Sequence, residues 1–79
     1  MLDIKVLGTG CSKCIKLEEN VRLAVNDMAV EANVEKITDL NQIMSYGIMM
    51  TPGLVINGKV VSFGRVLNSK DITELIKKA

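Results

Sequence analysis

The apolar pattern changes its period within the first twenty residues, and both cysteines of the chain sit at the change. Ile4-Lys5-Val6-Leu7 alternates as a strand does, with Ile4 and Val6 on one face and Leu7 on the other. From Cys14 the apolar residues recur at three and four. Cys14, Leu17, Val21, Ala24 and Met28, with Val25 and Ala29 beside them, form one helix face. The connection is Gly8-Thr9-Gly10-Cys11-Ser12-Lys13-Cys14. A strand that hands over to a long helix predicts a second, parallel strand on the far side of that helix.

The rest of the chain supplies it. The helix is expected over roughly Ser12 to Val30, with Glu18, Glu19, Arg22, Asn26 and Asp27 on its polar side. Ala32 to Ile37 reads as the second strand, although Lys36 interrupts its alternation. Asp39 is placed to cap a short helix by taking the Gln42 amide while Gln42 reaches back, as in a capping box. Leu40, Ile43 and Met44 form that helix's apolar face, and Gly47 ends it. After Pro52, the runs Leu54-Val55-Ile56 and Lys59-Val60-Val61 flank Asn57-Gly58, the strongest short signal for a hairpin. Gly64 closes the second of these strands or forms a bulge. Asn68 or Ser69 caps a last helix that turns Ile72, Leu75 and Ile76 inward, with Lys77 and Lys78 suiting its C-terminal dipole. The predicted order is β-α-β-α-β-β-α. It makes a single α/β domain over residues 1–79, a four-stranded mixed sheet with helices on both faces.

Composition removes several function classes. Only 3% of residues are aromatic, Tyr46 and Phe63, so the core must be aliphatic. The net charge is +1, with cations scattered among acids. No basic stripe can neutralise phosphates and no aromatic pair can stack bases, so nucleic acid is not an expected partner. No apolar run approaches the length of a membrane span and no signal peptide is visible, which leads to the expectation of a cytoplasmic protein. A structural disulfide does not persist in a reducing compartment, so Cys-x-x-Cys there points to redox catalysis or metal binding.

The placement of the thiols favours redox chemistry. If Cys11 is the N-cap of the long helix, the unpaired amides of the first turn, the helix dipole and Lys13 all favour its thiolate, the nucleophile of disulfide exchange. Cys14, in phase with the apolar stripe, should be buried and neutral. Cys11 is then the attacking cysteine and Cys14 the resolving one. Zinc would want four ligands, and the chain has two cysteines and no histidine. The alternative is a copper(I) site or carrier built on the two thiolates. Small copper carriers with a similar motif end in a strand, whereas this chain ends in a helix. No cofactor beyond the redox-active disulfide is expected. Met44 reads as a core filler, and Met49 and Met50 as a flexible apolar contact surface. Gly8 and Gly10 read as turn formers. Pro52 starts a strand directly after a loop that should approach the thiols, which favours a cis bond above its ordinary frequency.

Three segments together resemble the thioredoxin superfamily, in particular its small, glutaredoxin-sized members from archaea and bacteria. Gly8-Thr9-Gly10-Cys11-Ser12-Lys13-Cys14 is similar to their redox loop. Tyr46-Gly47-Ile48 with Met50-Thr51-Pro52 is similar to their Thr-Pro segment, and Val55 to Val61 followed by Gly64-Arg65 to their hairpin. The resemblance implies the thioredoxin core fold, with Pro52 cis beside the disulfide and the Thr51 backbone pairing with an extended substrate. It makes Gly10, Ser12, Lys13, Thr51 and Pro52 the expected substrate contacts. It also implies thiol–disulfide oxidoreductase activity on disulfide-containing proteins, with a flavin-dependent thioredoxin reductase as electron donor. The chain departs from the pattern in three places. Ser12-Lys13 replaces the Gly-Pro of standard thioredoxins. No acid occurs between Ile4 and Gly10, where those proteins carry a buried one. Gly64-Arg65 stands where glutaredoxins hold glutathione with Gly-Gly and acids.

Overall fold

A computed structural model describes residues 2–10 and 12–78. The elements are β1 (Leu2–Leu7), α1 (Ser12–Met28), β2 (Ala32–Ile37), α2 (Leu40–Ser45), β3 (Gly53–Ile56), β4 (Lys59–Phe63) and α3 (Ser69–Lys78), in the order expected from the sequence. The sheet runs β2-β1-β3-β4. β1 and β2 are parallel, in register from Leu2 opposite Ala32 to Leu7 opposite Ile37. β3 lies antiparallel to β1, and β4 antiparallel to β3.

Each face of the sheet has its own core. Ile4, Val6, Leu54 and Ile56 point to the face covered by α1 and α3, where they meet Leu17, Val21, Ala24, Leu67, Ile72 and Ile76. Leu7 and Val55 point the other way and pack with Ile37, Ile43 and Ile48, half-buried Tyr46 and Val60 closing that side. Strand alternation in β1 and β3 therefore divides the chain's aliphatic residues between two layers. Asn20 on α1 donates from Nδ2 to the Leu67 carbonyl at 2.9 Å, tying down the loop that leads into α3.

The hairpin turn follows from its residues. Asn57 and Gly58 have φ of 53° and 82°, the left-handed pair that a two-residue turn with the native twist demands. The bulge falls earlier than Gly64. Leu54 pairs with Ser62 and Val55 with Val60, so Val61 is the extra residue, while Gly64 closes the strand. Asn68 is the cap of α3, its Oδ1 accepting the Asp71 amide at 2.8 Å. α1 stops two residues short of the expected end, at Ala29, whose φ is 52°.

Two expectations for α2 do not hold. Of Leu40, Ile43 and Met44 only Ile43 is buried; Leu40 and Met44 are 59% and 63% exposed. The helix is six residues long, and Met44 lies about 100° further round than Ile43. A helix with under two turns brings a single stripe onto the sheet, and Ile43 takes it. The capping box is also absent: Asp39 Oδ1 accepts the Asn41 amide at 2.8 Å instead of that of Gln42. Either amide serves an N-cap.

Candidate thiol–disulfide site

The site lies where β1 ends. At that level one row crosses the whole sheet: Ile37, Leu7, Gly53 and Phe63. Gly8 follows Leu7, is buried, and donates its N–H to the Ile37 carbonyl at 2.9 Å. Cys14, in the first turn of α1, is 2% exposed and continues the helix's buried stripe of Leu17, Val21 and Ala24. Its inward position is the one the helical phase required.

Gly8 and Cys14 touch more closely than the sequence reading allowed. A Cβ on residue 8 would stand 2.8 Å from Cys14 Cβ and would overlap Cys14 Sγ. Gly8 is therefore more than a turn former, because its missing side chain is the space that the Cys14 thiol occupies. The available signal was a glycine that closes an apolar strand six residues before the first inward residue of the helix. Gly10 differs: nothing lies within 4 Å of a Cβ there, and its φ of 96° is what calls for glycine.

Cys11, read as the N-cap and nucleophile, lies outside the described residues. Gly10 before it and Ser12 and Lys13 after it are exposed. Across the sheet end, the Thr51–Pro52 bond is cis, as expected from the sequence; Pro52 is buried and Thr51 half-buried. The Pro52 carbonyl accepts the Gly64 N–H at 2.8 Å. Gly53 is packed so tightly that a Cβ would come within 2.7 Å of Ile48 Cδ1. The fold thus brings Gly10, Ser12, Lys13, Cys14, Thr51 and Pro52 to one end of the sheet. Met49 and Met50 sit beside them, 94% and 59% exposed.

Among the described residues no three His, Cys, Asp or Glu side chains converge as metal ligands. β1 carries two charged residues, Asp3 and Lys5, and the Lys5 Nζ lies 3.3 Å from Asp3 Oδ2. The hydrogen bond to Asp3 and that carboxylate's charge, with smaller effects from Tyr46 and Glu35, hold the Lys5 pKa above its ordinary value. Asp3 is near the start of the strand, remote from the thiol end.

A Cys-x-x-Cys segment entering a crossover helix, with its second cysteine buried and a buried proline opening the antiparallel strand alongside, defines a class: small thiol–disulfide oxidoreductases of thioredoxin-like fold. Residues 2–77 match the family model described as the thioredoxin domain, and the chain belongs to the thioredoxin family. It is 37% identical over 76 residues to a thioredoxin of Methanothermobacter thermautotrophicus, covering 96% of this chain and 99% of the relative. With a thioredoxin of Methanocaldococcus jannaschii the identity is 35% over 77 residues, covering 98% and 88%. Among solved structures, thioredoxin-2 of a malaria parasite superposes with a TM-score of 0.74 at 15% identity, over 100% of this chain and 84% of that one. The germline thioredoxin Deadhead of Drosophila melanogaster gives 0.68 at 18% identity, over 98% and 79%. These two likenesses concern the fold. Among the described residues no helix is long and apolar enough to cross a membrane.

Proposed function

We propose that this protein reduces protein disulfides by dithiol exchange through Cys11 and Cys14. The Cys11 thiolate attacks one sulfur of a substrate disulfide, forming a mixed disulfide and releasing the first substrate thiolate, which takes up a proton. Cys14 then gives up its proton and attacks the Cys11 sulfur. The Cys11–Cys14 disulfide forms and the second substrate thiolate leaves. The substrate gains two electrons and the protein loses two. The observation that carries this reading is the burial of Cys14 against Gly8. A sulfur held out of solvent in the first turn of a helix is poorly placed to meet a substrate first and well placed to resolve an intermediate held on Cys11.

In this reading Thr51 offers backbone hydrogen bonds to an extended substrate segment, Pro52 supports it, and Gly10, Ser12 and Lys13 form the rim that meets it. No cofactor beyond the cysteine pair takes part. The dithiol is restored by a flavin-dependent reductase of the thioredoxin type, in the cytoplasm. Insulin reduction tests the proposal, with NADPH and such a reductase as one electron source and glutathione as another. Turnover with the reductase is expected, and both Cys11→Ser and Cys14→Ser should abolish it. Cys14→Ser should accumulate mixed disulfides through Cys11, and Cys11→Ser almost none. Mixed disulfides accumulating on Cys11→Ser instead would reverse the roles of the two thiols.

A further inference from the structure

Two exposed cations outside any ion pair among the described residues flank the site, and a path of contacts shows how they are arranged. Gly8 touches Cys14; Leu7 before it pairs with Gly53; Gly53 follows Pro52; the Pro52 carbonyl binds the Gly64 N–H. Lys13 stands beside Cys14 at one end of this path, and Arg65 follows Gly64 at the other. Both are exposed, and neither forms an ion pair among the described residues. Lys16, a turn further along α1, is paired only loosely with Glu19, at 4.0 Å.

Glu18 and Glu19, in the second turn of α1, are engaged in ion pairs, Glu18 with Arg22 and Lys36 and Glu19 with Lys16. No Asp or Glu occurs from residue 4 to 17 or from 40 to 70. Asp3, Asp27 and Glu31 belong to the opposite end of β1, α1 and β2. Asp39 follows the edge strand β2, and its carboxylate is engaged with the Asn41 amide. Asp71 and Glu74, on α3, line one cleft together with Arg65 and Phe63, so on that side the steering falls to Arg65 against two carboxylates and on the other to Lys13. Between the two cations the surface is apolar: Met50 packs over Gly64, and Met49 and Phe63 are exposed.

From this arrangement, and resting on the exchange reaction proposed above, we infer that the site selects protein disulfides flanked by acidic residues, with an apolar side chain next to the disulfide. Lys13 and Arg65 steer the acidic segment to the thiols, and Met50 and Phe63 receive the apolar side chain. Charges exposed in this way act mainly on the rate of encounter, and salt screens them.

Three peptides of equal length test this. Each carries one intramolecular disulfide and the same adjacent Leu, and the flanks are acidic, uncharged or basic. Their second-order rates of reduction by the reduced protein are each divided by the rate with dithiothreitol, which removes the intrinsic reactivity of the peptide. The acidic peptide should outrun the basic one by about tenfold at low ionic strength, with the rates converging near 1 M salt. Lys13→Glu with Arg65→Glu should invert the order after correction for each protein's rate with uncharged iodoacetamide. Lys59→Glu, at the hairpin and away from the thiols, should leave it unchanged. Equal rates for the three peptides, an order that survives the double reversal, or an equal effect of Lys59→Glu would each overturn the inference while leaving the exchange reaction standing. If none of the peptides is reduced, the exchange reaction itself fails.

Discussion

Replacing Gly8 with Ala tests the contact on which the site is built. The new methyl would lie 2.8 Å from Cys14 Cβ and overlap Sγ, closer than non-bonded carbons approach. Neither side can easily retreat. Gly8 is held by its bond to the Ile37 carbonyl, and Leu7 before it is paired on both edges, with Ile37 and Gly53. Cys14 belongs to a helix whose stripe is fixed in the core by Leu17 and Val21, 1% and 0% exposed. Overpacking of this kind typically costs about 1–3 kcal/mol. The φ of Gly8 is not in the left-handed region, so alanine would also restrict the unfolded chain and return roughly 0.4–1 kcal/mol. The difference is about 0–2.6 kcal/mol, and a clash with both Cβ and Sγ of Cys14 places the expected loss in the upper half, about 1.3–2.6 kcal/mol, or about 5–21 °C in Tm for a domain of this size. Urea unfolding of the reduced protein, followed by far-UV circular dichroism, should show a lower midpoint with an unchanged slope. Adding Cys14→Ala should recover part of the loss by removing the sulfur, and only part, because the Cβ contact remains. A Gly8→Ala protein as stable as the parent would refute the close approach of β1 and α1.

Leu17→Ala should cost about 2–5 kcal/mol in the same assay, since the side chain is buried in the core that α1 and α3 form on the sheet; Leu23→Ala, at a 54% exposed position on α1, should change stability by under about 0.5 kcal/mol. At alkaline pH the Lys5–Asp3 pair should be visible. Because the Lys5 pKa is raised in the folded state, its contribution is fully present below the ordinary lysine value of 10.5 and is lost as pH rises through the higher folded value. In an NMR titration of the Lys5 side chain, Asp3→Asn should move the midpoint down toward that ordinary value. An unmoved midpoint would show that Asp3 is not the cause.

The chain's local grammar carried most of the architecture. The switch from alternation in Ile4–Leu7 to the three-four spacing of Cys14, Leu17, Val21 and Ala24 placed β1, α1 and the inward turn of Cys14. These depend on neighbours within about one helical turn or one strand pleat. Asn57-Gly58 specified its turn for the same reason, since the required φ values belong to those two residues alone. Tertiary structure decided what depends on distant partners. Whether Leu40 or Met44 is buried with Ile43 depends on how much of the sheet a six-residue helix can reach. Whether Val61 or Gly64 forms the irregularity in β4 depends on the register with Leu54 and Val55. The purpose of Gly8 depends on a helix six residues away in sequence that the fold brings back against it. A side chain's absence leaves no trace in hydrophobic periodicity, and the room it creates has meaning only once the packed neighbour, the Cys14 sulfur, is in place.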